Sequence, residues 1–268
     1  MIDLHTHLLP AVDDGARSAA QAVGVLARFA ADGVTAVACT PHLRASELRR
    51  GVARRYDERL AELRGAAPPG LTLLHGWEVM LDEPGVDLTD PVLRIGDAPA
   101  VLVEFPGGPA LPPNAVAELA RVRRSGVVPV LAHPERYAGC TAADVLAWRH
   151  AGAVTQGNAD ALSATDARGD AARLLLAAGA LDLLASDNHG DARGLAAARA
   201  LLSAHDAADA AALLTAENPA RVLRGEPPLP VPPVTLRMGV WARLARYVRQ
   251  SVSSPATPAT APAAAQRA

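Results

Sequence analysis

Short apolar runs alternate with longer stretches rich in alanine, leucine and arginine along most of the chain. The short runs have the length of buried strands, whereas the longer stretches have the character of helices. This alternation predicts repeated strand–helix units around a parallel sheet, and therefore an α/β fold. Seven strands are predicted, at Ile2 to His5, Val34 to Thr40, Leu71 to Val79, Ala100 to Phe105, Val127 to Ala132, Ala153 to Asn158 and Leu181 to Ser186.

Helices are predicted in the stretches between these strands. Ser18 and Thr141 have the side chains that cap helix N-termini, and Gly33 and Gly126 stand where C-cap glycines belong. The predicted helices are Ser18 to Asp32, Ala45 to Arg64, Pro113 to Ser125, Thr141 to Ala151, Ala164 to Ala178 and Ala192 to His205.

The last part of the chain has a different composition. Residues 226–234 read EPPLPVPPV, and this proline density favours an extended linker over helix or sheet. We therefore expect a single globular domain over residues 1–224 and a linker over 225–235. Residues 236–250 set apolar side chains against arginines, which predicts a basic amphipathic segment with peripheral contact to anionic membrane. Residues 251–268 are expected to be disordered.

Composition narrows the classes of function. The 268 residues carry a formal net charge of −2, so no overall basic field exists to attract nucleic acid. The two cysteines cannot supply a disulfide framework and favour a cytoplasmic location. We expect neither a secretory signal nor a membrane-spanning segment. The chain has no lysine, which excludes Schiff-base chemistry, a P-loop lysine and a carbamylated-lysine metal bridge.

Side chains of the metal-ligand type stand at the ends of the predicted strands. His5 and His7 form an HxH pair after the first strand, which alone is a weak signal because it also fits two exposed loop histidines. Five further strands end in the same way, and a barrel brings the carboxyl ends of its strands to one face. Asp14, in an early loop, is expected to reach this face. The candidate ligands are His5, His7, Asp14, His42, Glu78, Glu104, His133, Asp187 and His189.

This donor set indicates the kind of metal site. Five histidines and four carboxylates exceed what a single ion uses, so a multinuclear centre is predicted. Mixed imidazole and carboxylate ligands suit Mn²⁺, Fe²⁺ or Zn²⁺ and require no thiolate. Such a cluster attracts phosphate, because several divalent ions outweigh the charge of four carboxylates.

Six motifs carry a resemblance to a known family, and they read MIDLHTHLLPAVDDGA, TPH, GWEV, VEFP, AHPERY and SDNH. In this order and spacing they resemble the polymerase and histidinol phosphatase (PHP) superfamily, and within it the bacterial capsular-polysaccharide tyrosine phosphatases of the CpsB/YwqE type. The resemblance covers Met1 to about Leu223. It implies a distorted (βα)7 TIM-like barrel, a cluster of three ions that is usually manganese, and action on the phosphotyrosine tail of a bacterial tyrosine autokinase controlling exopolysaccharide export.

The resemblance also implies a role for each candidate residue. His5, His7, Glu78 and Asp187 would hold one metal ion, and Glu78 would bridge to a second ion bound by Glu104 and His133. Asp14, His42 and His189 would hold the third ion. Arg136, three residues after His133, would bind the phosphate.

Other residues near these motifs are given simpler explanations. Asp13 is expected to face outward or to stabilise a turn, and Glu135 to face solvent or to support a ligand. Gln156 and Asn158 are expected to support ligands from the sixth strand. Trp77, Phe105 and Tyr137 stand beside ligand motifs, where packing is the commoner role and stacking on a substrate ring the alternative.

The sequence therefore predicts a metal-dependent protein-tyrosine phosphatase. A cysteine-based mechanism needs an arginine six residues after the nucleophile, but those positions hold Ala45 and Leu146. Two alternatives stay open from the residues alone. One is a histidinol-phosphate or other small-molecule phosphomonoesterase, because metal ligands do not distinguish leaving groups. The other is a noncatalytic metal-binding regulatory module, against which the complete ligand set argues.

Overall fold

The computed structural model of the chain describes residues 1–50, 56–107 and 111–236. Within these ranges every pairing between strands is parallel, and most strands are followed by a helix. The predicted α/β class is therefore confirmed. The strands are β1 (Ile2–Thr6), β2 (Ala36–Cys39), β3 (His42–Arg44), β4 (Thr72–His75), β5 (Glu78–Met80), β6 (Ala100–Glu104), β7 (Val128–Ala132), β8 (Val154–Asn158) and β9 (Leu183–Ala185).

One short strand was not predicted, and one predicted strand is interrupted. The second predicted strand ends before Pro41, whose nitrogen cannot donate a ladder hydrogen bond, and the unpredicted strand β3 follows it. The third is divided into β4 and β5 at Gly76, where an added Cβ atom would come within 3.0 Å of the Thr40 side chain. The breaks at Pro41 and Gly76 place His42 and Glu78 opposite each other at the start of the parallel pair β3 and β5.

The strands form two sheets. β1, β2 and β4 make the smaller sheet, and the larger sheet runs in the order β3, β5, β6, β7, β8, β9. Backbone hydrogen bonds join β1 to the segment that follows β9, because Asp187 N donates to His5 O (3.0 Å) and His7 N donates to Asn188 O (2.8 Å). A single closed barrel of seven strands stays a prediction.

Apolar side chains fill the space on both faces of the strands. Leu4, Leu102 and Val130 are fully buried in a cluster contributed largely by the strands. On the other face, helix α1 (Ala19–Ala31) packs Leu26 and Phe29 against strand residues of the smaller sheet. The strands therefore lie between two apolar layers.

Most predicted helices are present with slightly shorter bounds. Ser18 Oγ accepts a hydrogen bond from Gln21 N, and Thr141 forms a capping box with Asp144, so both N-caps are confirmed. The predicted helix from Ala45 to Arg64 is instead a 3-10 helix at Ala45–Arg50 and a separate α-helix, with residues 51–55 outside the described ranges. The remaining helices are α2 (Asp57–Ala66), α3 (Ala115–Arg124), α4 (Ala142–His150), α5 (Ala167–Ala177), α6 (Leu195–Ser203), α7 (Ala208–Ala212) and α8 (Asn218–Leu223).

The proline-rich segment after α8 is extended and packs on the rest of the fold. Val231, Val234 and Leu236 are buried in the main core cluster, and Val234 N donates to Leu176 O (3.2 Å). The compact unit therefore continues to Leu236, beyond the predicted boundary at residue 224.

The predicted basic segment at 236–250 and the predicted disordered tail at 251–268 lie, apart from Leu236, outside the described residues. In the part of the chain that the structure describes, no helix combines the length and apolar character needed to cross a bilayer.

Candidate metal centre

The nine candidate ligands meet at one end of the strands, where His42 and Glu78 begin β3 and β5 and where His133 follows β7. His5, His7, Glu78, His133 and Asp187 are buried, whereas Asp14 and His42 lie at the open side. Their donor atoms fall into four overlapping groups, each spanning no more than 4.8 Å: His7, Asp14, His42 and His189; His5, His7 and Asp187; His5, Glu78 and His133; and His42, Glu78 and Glu104. Shared members are what a multinuclear centre requires, but binding of ions by these residues stays a prediction.

Two of these ligands stand at sharp backbone turns. His133 follows β7 with φ of 35°, and Asp187 follows β9 with φ of 49°. Residues other than glycine rarely adopt this left-handed backbone conformation, and each such residue costs about 1–3 kcal/mol of folding free energy. The surrounding strands enforce both conformations, which is typical of residues selected for a site rather than for local stability.

Glu78 lies at the middle of the cluster. Its Oε1 is 2.8 Å from His133 Nε2 and 3.3 Å from His5 Nε2, and its Oε2 is 2.9 Å from His42 Nδ1. His7 Nε2 is a further neighbour at 3.3 Å. One buried carboxylate thus contacts imidazoles from four separate positions of the chain, as a bridging ligand would.

The charges at the centre shift the pKa values strongly. Burial opposes protonation of His5, but Glu78 and Asp187 outweigh it and raise its pKa to about 10. His42 behaves alike, and its neighbours, Glu78 foremost, raise its pKa to about 9 against the effect of burial. Burial together with the charge of Glu78 raises the pKa of Glu104 to about 7. Without metal ions, protons are therefore the cations that hold these carboxylates together.

The centre fits divalent metal ions. Among the described residues, Glu104 Oε1 and Asp187 Oδ1 are buried oxygens without a hydrogen-bond partner. A buried carboxylate oxygen left in this way is costly unless a cation neutralises it. Both oxygens face imidazole nitrogens, at 3.7 Å from His42 Nδ1 and 3.5 Å from His5 Nε2 respectively. The mixed nitrogen and oxygen donors match the ligand preferences of Mn²⁺, Fe²⁺ and Zn²⁺.

Asp13 supports a ligand and also stabilises a turn, so the turn that was expected is confirmed and the outward-facing alternative is wrong. Its Oδ2 accepts from His7 Nδ1 at 2.7 Å, and its Oδ1 accepts from Gly15 N at 3.0 Å. Burial opposes ionisation, yet the hydrogen bond from His7 lowers the pKa of Asp13 to about 2. A carboxylate on Nδ1 leaves Nε2 of His7 free for a metal ion. Because Asp13 and Asp14 are adjacent and chemically alike, the sequence did not indicate which of the two carboxylates turns inward.

Two arginines bind the same oxygen of Asp187. Arg136 Nη1 donates to Asp187 Oδ2 at 3.2 Å, and Arg193 Nη1 lies 3.4 Å from that atom. About half of the Arg136 side chain is exposed (49%), so it remains accessible to solvent. Arg193, four residues after His189, was missed because no motif in its sequence neighbourhood links it to Asp187.

The other residues beside the motifs have supporting roles. Glu135 is buried rather than solvent-facing, and its Oε1 accepts from Asn158 N at 2.9 Å. Trp77, Phe105 and Tyr137 pack in or against the main core cluster. The Tyr137 hydroxyl accepts from Phe105 N and donates to Ala132 O. The packing role is therefore the one that the structure supports.

Neither cysteine is placed for nucleophilic chemistry. Burial raises the pKa of both Cys39 and Cys140 to about 12, so both stay protonated at neutral pH. We expect Cys39→Ala combined with Cys140→Ser to leave kcat within about twofold of the wild-type value, because the thiolate is the nucleophilic form. Turnover measured alongside a thermal melt checks this. A lost chemical step in a protein that melts normally would point to a thiol mechanism.

Comparison with known proteins places this site in a wider context. A family model described as "Capsular polysaccharide synthesis, CpsB/CapC" matches residues 1–224. The tyrosine-protein phosphatase YwqE of Bacillus subtilis is 32% identical over 148 residues, covering 51% of this chain and 55% of that protein. A putative tyrosine-protein phosphatase CapC of Staphylococcus aureus is 27% identical over 141 residues, covering 51% and 54%. The match thus spans about half the length of these curated relatives.

A solved structure resembles the whole fold. It comes from crystal structures of YwqE from Bacillus subtilis and CpsB from Streptococcus pneumoniae, which are described as unique metal-dependent tyrosine phosphatases. The likeness has a TM-score of 0.70 at 25% identity, and it covers 88% of this chain and 100% of that one.

Proposed function

The chain belongs to the CpsB/CapC family of capsular polysaccharide synthesis, and from this premise we propose that it is a metal-dependent protein-tyrosine phosphatase. Its relatives carry that activity in their names, and the solved structure that it resembles belongs to metal-dependent tyrosine phosphatases. The observation that carries the proposal is the convergence of nine nitrogen- and oxygen-donor residues, with Glu78 between four imidazoles.

Three divalent ions, manganese in the first place, are the proposed cofactor. His5, His7, Glu78 and Asp187 would hold one ion, Glu104 and His133 would complete a second with Glu78, and Asp14, His42 and His189 would hold the third. Divalent ions at such a centre lower the pKa of water and offset the negative charge that develops on phosphate. Asp13 and Gln156 keep the outer nitrogens of His7 and His5 occupied, so that the inner nitrogens face the cluster.

The chain's own contribution to phosphate binding comes from the open side. Arg136 and Arg193 are tethered by the same aspartate oxygen, which restricts their motion. A guanidinium presents several N–H donors in a fixed plane and can bind two phosphate oxygens at once. A phenol with a pKa near 10 leaves more readily than an alkoxide, so phosphotyrosine needs less proton donation than phosphoserine.

The phosphotyrosine tail of a bacterial tyrosine kinase that regulates capsule or exopolysaccharide synthesis is the proposed substrate. The family's description as a capsular polysaccharide synthesis family supports this context. A phosphatase that acts on such a tail must be in the same compartment as the tail. We therefore propose a cytoplasmic location.

A comparison of substrates tests the function. Metal-free protein is reconstituted with Mn²⁺ and offered a phosphotyrosine peptide, a phosphoserine peptide of the same sequence, and histidinol phosphate. We expect the highest kcat/KM with phosphotyrosine. Preference for histidinol phosphate would favour a small-molecule phosphomonoesterase, and failure to hydrolyse any of the three by a protein that binds Mn²⁺ would favour a regulatory module.

Arg136 gives a more specific prediction. We expect Arg136→Lys to keep the metal ions and the fold but to lose activity, because a point charge cannot form two parallel hydrogen bonds to phosphate. Arg136→Ala should lose more activity, by about 2 to 4 kcal/mol of transition-state stabilisation, as when other hydrogen-bond donors to an oxyanion are removed. The measurements are kcat/KM with the phosphotyrosine peptide and metal content.

Arg121→Ala is the matched control, because Arg121 also pairs with a carboxylate, that of Glu118 at 2.7 Å, but on α3. It should leave kcat/KM unchanged. Wild-type turnover by fully metal-loaded Arg136→Ala would show that Arg136 is not part of the phosphate site.

A further inference from the structure

Two buried amide side chains link His5 and Asp187, two candidate ligands that are far apart in sequence. Gln156 and Asn158 stand two residues apart on β8, and both are fully buried. Gln156 Oε1 is 2.8 Å from His5 Nδ1, Gln156 Nε2 donates to Asn158 Oδ1 at 2.9 Å, and Asn158 Nδ2 donates to Asp187 Oδ2 at 2.8 Å. The two amides therefore form a continuous chain from His5 to Asp187.

Chemistry allows this chain only one direction. Asp187 Oδ2 is surrounded by donors, since Arg136 and Arg193 also approach it. The amide group of Asn158 that faces it must therefore be the NH₂ group, which leaves Asn158 Oδ1 as an acceptor. Gln156 must then turn its own NH₂ group toward Asn158. The same reasoning fixes Gln156 Oε1 as the atom that faces His5.

The direction of the chain determines the form of the imidazole. An amide oxygen can only accept, so His5 Nδ1 must carry the hydrogen. With Nδ1 held as a donor, Nε2 is the nitrogen that can bind a metal ion, and it lies 3.3 Å from Glu78 Oε1 and 3.5 Å from Asp187 Oδ1. At the other end, Asn158 occupies Asp187 Oδ2 and leaves the buried Oδ1 without a partner among the described residues.

We propose that Gln156 and Asn158 act as one amide relay, in which the orientation of each amide depends on the other, and that the relay presents His5 Nε2 and Asp187 Oδ1 together to the metal ions. The proposal rests on the proposed metal-dependent function. Both amides are positioning residues rather than ligands, since their polar atoms are occupied by the hydrogen bonds of the chain. Outer partners of this kind change metal affinity by roughly 10- to 100-fold.

Gln156→Glu separates a relay from two independent contacts. A carboxylate still accepts from His5 Nδ1, and on its own it would be a stronger acceptor than an amide. It cannot donate to Asn158, however, so Asn158 would turn its NH₂ group toward position 156 and its oxygen toward Asp187. Two acceptors would then face each other. A relay therefore predicts weaker metal binding, whereas an independent contact with His5 predicts equal or tighter binding.

The experiment uses the full chain and measures Mn²⁺ affinity by titration for the wild type, Gln156→Glu, Gln156→Leu, Asn158→Leu and the double leucine variant. We expect each single variant to lose at least about tenfold in affinity. The double variant should lose less than the product of the two single losses, because either change already breaks the relay. Equal or tighter binding by Gln156→Glu, or independent effects of the two leucines, would overturn the proposal.

A spectroscopic measurement tests the relay directly. In Zn²⁺-loaded protein, long-range ¹H–¹⁵N spectra report which nitrogen of His5 carries hydrogen. We expect Nδ1–H in the wild type and a shifted or lost signal in Asn158→Leu, although Asn158 is linked to His5 only through Gln156 in this hydrogen-bonded chain. An unchanged signal would overturn the relay.

Thr155→Val is the matched control. Thr155 directly precedes Gln156 on β8, is buried, and bonds instead to Ala180 O and Asp182. Its loss should lower thermal stability without changing Mn²⁺ affinity or the His5 signal. Wild-type protein that binds Mn²⁺ but does not hydrolyse phosphotyrosine would overturn the proposed function and leave the relay to be judged by affinity. Wild-type protein that binds neither Mn²⁺ nor Zn²⁺ would overturn both.

Discussion

Removal of the metal ions with a strong chelator is expected to abolish phosphatase turnover and to lower thermal stability, more at alkaline pH than at mildly acidic pH. Turnover is lost because activation of water and neutralisation of phosphate charge both require the ions. Stability is lost because ions that bind only the folded chain contribute free energy of folding. The pH dependence follows from the imidazoles that face the carboxylates.

The sign of this dependence comes from raised pKa values. In the metal-free protein the pKa of His5 is about 10 and that of His42 about 9, because Glu78 and other carboxylates outweigh burial. In the unfolded chain both titrate near pH 6.5. A group whose pKa is raised by folding stabilises the fold fully below its unfolded pKa, and this contribution disappears as pH rises through the folded pKa. Metal-free protein should therefore lose stability between about pH 6.5 and pH 10.

Thermal and denaturant melts over this pH range, with and without chelator, measure the effect. We expect the free energy of unfolding of the chelated protein to fall by about 2 kcal/mol or more from the acid to the alkaline end of the range. The metal-loaded protein should change less, because ions replace the protons. Full activity and an unchanged melting midpoint after chelation would contradict the metal-centre assignment.

Substitution of Glu78 is expected to have the second large effect. Glu78→Gln removes the one carboxylate that lies within 3.3 Å of His5, His7, His42 and His133. Losses at outer partners of a metal reach roughly 100-fold, so loss of this central ligand should exceed that in kcat/KM. Metal content should fall as well, and both can be measured on the same preparation.

Glu78→Gln should also flatten the pH dependence of the metal-free protein. Because Glu78 makes the largest of the contributions that raise the pKa values of His5 and His42, both pKa values should be lower in this variant. The control is Glu118→Gln, a buried glutamate that pairs with Arg121 on α3. It should cost stability but spare metal content and kcat/KM. Normal metal content and turnover in Glu78→Gln would show that Glu78 is not a ligand.

The sequence predicted the strands and the donor residues well because both depend on local patterns. Parallel strands bring their carboxyl ends together, so His5, His133 and Asp187 could be assigned to one site before their distances were known. The short strand β3 and the interruption at Gly76 were missed, because neither a three-residue strand nor a change of sheet has a hydrophobic pattern of its own. The assignment of each donor to a particular metal ion stays a prediction, because the distances show only that the donor atoms lie close together.

Features that depend on contacts distant in sequence were the ones that could not be predicted. Arg193 approaches Asp187 through a loop after β9, and nothing in its neighbourhood marks it. Val231 and Val234 pack on the core although prolines surround them, since proline excludes helix and ladder pairing but not burial of the intervening side chains. The side chains of Asp13 and Asp14 point in different directions because of a single backbone turn. Amino-acid composition does not encode that turn.

The hydrogen bonds between β1 and the segment after β9 have a consequence for biosynthesis. His5 and His7 leave the ribosome long before their backbone partners at Asp187 and Asn188 are made. Closing a contact over so long a stretch of chain is entropically costly and slows folding. Until the segment after β9 has been synthesised, β1 lacks these partners, so the nine donor residues can come together only after His189 has been made.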